Sequence, residues 1–214
     1  MQYNKMDEIK EGAYIGWEIF KTIAIIGLLV IFFRFFIIQP FSVSGNSMNP
    51  DFQNGEYLFV DEASYYFRSP ERGEVIVFKH PDPQPSSNCT AFVENNKFIT
   101  KFVQGPCLSF IKRVIGIPGD TVIVKNGKVT VKNTENPEGL KLNESYIETG
   151  VETLGDQSIT LQKNEYYVLG DNRLPGMSYD SRGWGVLRKE FIIGRAWLRL
   201  LPSESIGFIP KAKY

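Results

Sequence analysis

An apolar run close to the N-terminus constrains this chain more than any other feature. Residues 23–33 are eleven consecutive residues without a formal charge, and nearly all are large and apolar. Lys21 precedes the run, and Arg34 interrupts it before a second short apolar stretch. Residues 17–38 are long enough to cross a bilayer if both basic side chains reach toward opposite interfaces. The sequence therefore predicts a transmembrane anchor.

A cleaved signal peptide is the alternative, because an eleven-residue apolar core has the right size for one. No Ala-x-Ala site follows the run, and residues 42–44 match a small-x-small site only weakly. We therefore expect a retained anchor. The predicted parts of the chain are an N-terminal segment at 1–16, an anchor at 17–39 and a β-rich domain at 40–214.

The distribution of basic residues predicts the orientation of the anchor. Lys5, Lys10 and Lys21 precede the span, whereas residues 40–67 contain no Lys or Arg. Basic residues favour the cytoplasmic side of a membrane. We expect the N-terminus in the cytoplasm, the span in the cytoplasmic (inner) membrane and the domain outside it.

Charge and residue inventory exclude several classes of function. The chain has 24 basic and 24 acidic residues and shows no basic stripe, which argues against nucleic acid as a partner. One histidine and two cysteines cannot supply the three or four ligands of most zinc sites. We expect neither a metal nor a cofactor.

Short β-branched and aromatic runs bounded by Gly, Pro and charged residues predict strands after the anchor. The clearest hairpin joins residues 122–125 and 128–131 through Asn126-Gly127, since this pair accepts the positive φ angles of a type I′ turn. Residues 62–69 suit a helical turn. The other predicted strands are 57–60, 75–78, 158–161, 166–169 and 191–198.

Two polar stretches, 80–107 and 133–156, are typical of surface insertions. Cys89 and Cys107 flank most of the first stretch. A disulfide between them is expected if this part of the chain is exported, and two free thiols are the alternative.

Ser47 and Lys112 are the candidate nucleophile and base. Ser47 follows Gly45, which lets the backbone turn sharply, although such a loop is often a plain turn. Lys112 and Arg113 lie in an apolar strand on alternating faces, so one of them should face the interior. An ordinary lysine is neutral in about one molecule in 2,500 at pH 7, and burial lowers its pKa. The alternative is a lysine paired with a carboxylate on an edge strand.

A third polar segment, 170–185, follows the strand at 166–169. Its two acids and two arginines predict an ion-paired loop. On a functional interpretation, a hydroxyl in this loop such as that of Ser178 could hydrogen-bond a lysine nitrogen and orient it. Ser-Lys pairs are a known variant of serine nucleophile chemistry.

These segments together resemble the bacterial type I signal peptidases, which are membrane-anchored Ser-Lys endopeptidases. The resemblance runs from the anchor to about residue 200, and the lysine distinguishes it from endoplasmic-reticulum relatives with histidine there. It implies a mainly β fold with two regions of antiparallel sheet, one of them inserted. The matching motifs are Ser-Gly-Asn-Ser-Met-Asn-Pro at 44–50, Arg-Gly-Glu-Val-Ile-Val-Phe at 72–78, Lys-Arg-Val-Ile-Gly-Ile-Pro-Gly-Asp at 112–120, Gly-Asp-Asn-Arg at 170–173 and Ser-Tyr-Asp-Ser-Arg at 178–182.

The resemblance also implies a role for each matching residue. Ser47 is the expected nucleophile, with its backbone N–H in the oxyanion hole, and Lys112 is the expected general base. The expected supporting contacts are Ser178 to the lysine, Asp180 to Arg182, and Asp171 to Arg113.

Two departures from the family pattern stand out. Some members carry a second oxyanion donor, a serine, where this chain has Gly45, and Ser44 beside it is a possible substitute. Two extra residues separate Arg173 from Ser178, so 174–176 should loop out.

The resemblance further implies the expected partners, which are signal peptides of exported preproteins, the lipid bilayer and the protein export machinery. The substrate should bind extended along a sheet edge. Phe41, Val43 and Met48 should form apolar surface facing the substrate and the bilayer.

Three competing interpretations remain. A Ser-His-Asp hydrolase would need His80, which lies at the mouth of an insertion. A Ser-Lys self-cleaving repressor should carry a DNA-binding helical domain where this chain has its anchor. An inactive membrane-tethered β domain that binds exported peptides is the alternative without catalysis.

Overall fold

The computed structural model describes residues 2–36, 38–79 and 109–214. The helix α1 (Gln2–Phe36) forms one unit, and residues 39–214 form a second, β-rich unit. Within α1, Lys10–Val30 is long and apolar enough to cross a membrane, judged by length and composition. The helix is longer at its N-terminal side than the predicted anchor. The helix ends at Phe36, before the predicted end of the anchor at residue 39, because the first strand begins at Ile38.

Twelve strands and two further short α-helices follow α1 among the described residues. The helices are α2 (Ser64–Phe67) and α3 (Ser181–Trp184). The strands are β1 (Ile38–Ser42), β2 (Tyr57–Asp61), β3 (Val75–Lys79), β4 (Ser109–Gly116), β5 (Thr121–Lys125), β6 (Lys128–Lys132), β7 (Leu140–Lys141), β8 (Gln157–Thr160), β9 (Glu165–Leu169), β10 (Leu187–Arg188), β11 (Ile192–Leu201) and β12 (Gly207–Phe208). The predicted mainly β fold is therefore confirmed.

The larger sheet has the order β1-β2-β11-β3-β4-β9-β10, and β12 pairs with β11. Its registered pairs are antiparallel. Strand β4 is central, between β3 and β9, and nearly all its side chains are buried. Lys112 and Arg113 are therefore both buried, although they point to opposite faces of the sheet. The sequence alone allowed one of these two side chains to be exposed.

The smaller sheet, ordered β7-β6-β5-β8, is inserted between β4 and β9. Its β5–β6 hairpin has Asn126 at φ 51° and Gly127 at φ 73°, as a type I′ turn requires. The valines of both strands at alternate positions face a core that also contains residues of β4 and β9. The predicted inserted β region and its hairpin are confirmed, and the smaller sheet is attached directly beside β4.

Candidate active site

Ser47 lies in a tight turn between β1 and β2. The N–H of Phe52 donates to the carbonyl of Met48 at 2.9 Å, and both side chains are buried below the turn. Gly45 adopts φ 91°, and its N–H donates to Asn54 Oδ1 at 2.8 Å. These contacts fix the turn and leave Ser47 half-buried at its surface.

Lys112 reaches this turn from the central strand β4. Its Nζ lies 2.7 Å from Ser47 Oγ and donates to the carbonyl of Ile111 at 2.9 Å. The lysine side chain is 2% exposed. Burial lowers the pKa of Lys112 to about 8, against the charges of Asp180 and Asp171, which act to raise it. A neutral amine next to a serine hydroxyl can accept its proton, which is what nucleophilic catalysis by serine requires.

Arg113 points to the other face of β4 and joins three parts of the site. Its guanidinium makes two hydrogen bonds to Asp171, at 2.9 and 2.6 Å, and one to Asp51 at 2.6 Å. It also stacks 4.1 Å from the ring centroid of Tyr146. The predicted pairing of Arg113 with Asp171 is present, and Asp51 extends it to the turn that carries Ser47.

The loop after β9 contains the predicted ion pair between Asp180 and Arg182, with two contacts of 2.8 Å. Although burial acts to raise the pKa of Asp180, the hydrogen bonds and charge of Arg182 lower it on balance. Asp180 also accepts from the N–H of Gly170 at 3.1 Å and from the hydroxyl of Ser178 at 2.7 Å. The carboxylate thus holds both ends of the loop.

Gly170 lies between Ser178 and the backbone of Ser47. A Cβ on Gly170 would lie 2.2 Å from Ser178 Oγ and 2.4 Å from the carbonyl oxygen of Ser47, so only glycine fits between them. Among the described contacts, Lys112 Nζ bonds to Ser47 and to Ile111, and Ser178 donates to Asp180. That Ser178 orients the lysine therefore remains a prediction, and here its hydroxyl supports Asp180.

Sequence reasoning assigned no role to Asn172, which holds the serine turn directly. Its backbone N–H donates to the carbonyl of Ser47 at 3.0 Å, and its Nδ2 donates to the carbonyl of Asn46 at 3.0 Å. Asn172 is 126 positions away from Asn46. Its place in the Gly-Asp-Asn-Arg motif was the only signal, because the partners are backbone atoms that no residue type reveals.

Arg173 was also unassigned, and it links the loop to the inserted region. Its Nε donates to the carbonyl of Gly170 at 2.7 Å, and its other nitrogens bind Thr153 at 2.6 Å and Glu144 at 2.5 Å. Thr153 is buried, and Glu144 is 9% exposed at its side chain. Part of the stretch at 133–156, predicted as a surface insertion, therefore packs against the site.

One prediction about the substrate surface is wrong. Phe41, Val43 and Met48 are 7%, 2% and 1% exposed, and they belong to the hydrophobic core together with Leu58 and Val60. β1 lies beside β2 in the larger sheet, and the turn that follows β1 contributes Met48 to the same core. The three side chains therefore do not form apolar surface facing a bilayer.

The remaining predicted features are the oxyanion donors, the cysteine pair and the histidine. The N–H of Ser47 donates to no carbonyl or side chain in the described parts of the chain, so it is available to an oxyanion. Ser44 is exposed, and Gly45 contributes no hydroxyl. Cys89, Cys107 and His80 lie outside the described residues, and the disulfide stays a prediction.

Known proteins with similar sequences carry consistent names. The family model described as "Signal peptidase, peptidase S26" matches residues 16–201. A probable signal peptidase I-2 from Synechocystis sp. is 33% identical over 90% of this chain and 76% of its own length. Signal peptidase I T from Bacillus subtilis is 30% identical over 90% of this chain and 88% of its own length.

A crystal structure of a signal peptidase I from Enterococcus faecalis covers 60% of this chain and 97% of its own, with 21% identity and a TM-score of 0.38. The family model spans most of the chain, and the named relatives are matched over more than two thirds of their length. The chain belongs to the signal peptidase family, peptidase S26, and is a serine peptidase.

Proposed function

We propose that this chain is a membrane-anchored endopeptidase that removes signal peptides from exported preproteins with a dyad of Ser47 and Lys112. The observation that carries the proposal is the 2.7 Å contact between Ser47 Oγ and Lys112 Nζ. The lysine is buried, and burial shifts its pKa toward neutrality. A base that is partly neutral near pH 7 meets the main requirement for activating a serine.

In the proposed reaction, neutral Lys112 accepts the proton of Ser47 as Oγ attacks the carbonyl carbon of the scissile bond. The negative charge on the carbonyl oxygen is stabilised by the N–H of Ser47. The resulting ammonium returns a proton to the departing amine, the C–N bond breaks, and an acyl-enzyme remains. A water molecule then gives a proton to Lys112 and attacks the acyl carbon. Lys112 returns this proton to Ser47 Oγ as the acyl C–O bond breaks, which releases the signal peptide and regenerates Ser47 and the neutral amine.

The surrounding residues support this reaction by fixing the two reacting groups. Asp180, held by Arg182, fixes Gly170 and Ser178 beside the nucleophile. Arg113 connects the serine turn to the loop through Asp51 and Asp171. Ser178 is proposed to reorient toward Lys112 during turnover, and Ser44 is the candidate for a second oxyanion donor.

Membrane anchoring by α1 is part of the proposal. The length and composition of Lys10–Val30 support it. The lysine distribution favours an N-terminus in the cytoplasm, with residues 40–214 outside the cytoplasmic membrane. Protease added to intact spheroplasts should degrade most of the chain, whereas complete protection would contradict this orientation.

The direct test of the activity incubates the purified full chain in detergent with a preprotein and sequences the product N-terminus. A single new N-terminus at the end of the signal peptide is expected. Ser47→Ala is the control, since it removes only the nucleophilic oxygen. Binding of the preprotein without cleavage by the unmodified chain would instead support a peptide-binding domain that has lost activity.

A further inference from the structure

A cavity of about 740 Å³ opens beside the serine turn and has no role in the proposed reaction. We call it the loop cavity. Three segments line it: the serine turn at 46–54, the inserted region at 147–151 and the loop at 171–177. Asn46 and Asn172, which are bonded to each other at the turn, form its border with the nucleophile.

Two walls of the loop cavity carry apolar side chains at the surface. Leu174 and Met177 are 43% and 41% exposed. They come from the part of the loop that is two residues longer than the usual family spacing, and Gly176 at φ 75° allows it to bulge. Ile147 and Val151 line the cavity from the inserted region. The extra loop residues thus build a wall, and the wall suits an apolar or long aliphatic ligand group.

The unpaired charge at the loop cavity is negative. Arg173 is matched by Glu144, and Asp171 is matched by Arg113. Glu148 is exposed, and within the described parts of the chain its carboxylate makes no ion pair or side-chain hydrogen bond. An incoming basic side chain therefore finds an unmatched carboxylate, whereas an acidic one meets repulsion.

The position of β1 decides which part of a preprotein reaches this cavity. β1 is one of the two edge strands of the larger sheet, the other being β10, and it is the strand that follows α1 in the chain. An extended substrate can pair with an open edge, and the apolar part of a signal peptide belongs to the membrane. The signal-peptide side of the substrate should therefore lie along β1. No residue of β1 lines the loop cavity, so the other side of the substrate is the one that enters it.

We propose that the loop cavity binds the first residues of the mature protein, immediately after the cut, and that Glu148 makes it prefer basic over acidic side chains there. This inference rests on the proposed function. It makes Glu148, Leu174 and Met177 specificity-determining residues for the leaving side of the substrate.

The test uses the full chain in detergent and a preprotein panel that differs only in the first two residues after the cut, which are both Lys, both Glu, both Gln or both Leu. Exposed ion pairs contribute up to about 1 kcal/mol, which is about fivefold in rate. We expect kcat/KM to be about fivefold higher for the Lys substrate than for the Glu substrate. Glu148→Lys should invert this order, and high salt should weaken it.

Glu152→Lys is the matched control, because it makes the same charge change four residues away and Glu152 does not line the cavity. It should keep the order of the unmodified chain. For the apolar walls, Leu174→Ser combined with Met177→Ser should lower kcat/KM for the Leu substrate relative to Gln about threefold or more. Leu154→Ser, which is also exposed and lies outside the lining, should not.

The outcomes separate the two proposals. If Ser47-dependent cleavage occurs and Glu148→Lys has the same Lys-to-Glu ratio as Glu152→Lys, the cavity does not read the mature residues and this inference is overturned. If the unmodified chain cleaves no member of the panel, the proposed function fails and this inference fails with it.

Discussion

The rate of cleavage should follow the protonation of Lys112, and pH is the perturbation that tests this. Burial lowers the pKa of Lys112 to about 8. The neutral fraction is then about 1% at pH 6, about 9% at pH 7, about 50% at pH 8 and about 90% at pH 9. If only the neutral amine activates Ser47, kcat/KM of the free enzyme should rise about ninefold, then about fivefold, then less than twofold over these steps.

An ordinary lysine gives a different profile, and this makes the test sharp. With a pKa of about 10.4, the rate would rise about tenfold at every step up to pH 9. The lowered pKa also makes the neutral amine about 230 times more abundant at pH 7, which corresponds to about 3 kcal/mol.

The assay measures initial rates on a preprotein well below KM, in full-length enzyme in detergent, from pH 6 to 9.5. Ser47→Ala corrects for background cleavage, and far-ultraviolet circular dichroism at each pH checks that the fold persists. A rate that still rises tenfold between pH 8 and 9, or one that does not change from pH 6 to 9, would refute the assignment of a buried neutral lysine as base.

Three further predictions concern the same residues. Ser47→Ala and Lys112→Ala should each abolish processing in a product assay, and the double variant should be no slower than either single variant, since the two groups act as one unit. Lys112→Arg should also be inactive, because arginine stays protonated. The lowered pKa of Lys112 means that the unfolded chain binds more protons than the folded one between about pH 8 and the model value of 10.5. Chemical denaturation should therefore show the unmodified protein gaining stability across that window relative to Lys112→Met. Equal pH dependence of the two proteins would contradict a lowered pKa of Lys112. Asn172→Ala should lower kcat about tenfold by removing a hydrogen bond to the serine turn, about 1–1.5 kcal/mol, whereas Asn133→Ala, which removes a bond to the distant Asp120, should leave kcat unchanged.

Local patterns were sufficient for most of the longer strands of this fold, whereas β1 and the two-residue strands β7, β10 and β12 were not predicted. Asn126-Gly127 determined a hairpin because its turn geometry depends only on the residues in the turn. The short β-branched runs predicted strands within a few residues of their observed bounds. Ser47 and Lys112 were singled out because a serine nucleophile needs a base, whereas the pairing of Asp180 with Arg182 was implied by the family resemblance and is present in the structure. The motifs that carry these residues are short and local.

Long-range packing determined what the local patterns left open. Lys112 and Arg113 are both buried because β4 lies between β3 and β9, and strand order is not encoded in the alternation of one strand. The same packing buried Phe41, Val43 and Met48, which the sequence had placed at the surface, since an apolar residue near a site suits either a pocket or a core. Asn172 supports the serine turn by bonds to backbone atoms 126 positions away, and backbone acceptors leave no trace in residue identity. The sequence alone therefore determined the family and most of the longer strands and pointed to the candidate dyad. Only the tertiary structure decided which side chains are desolvated, because desolvation depends on neighbours contributed by distant parts of the chain.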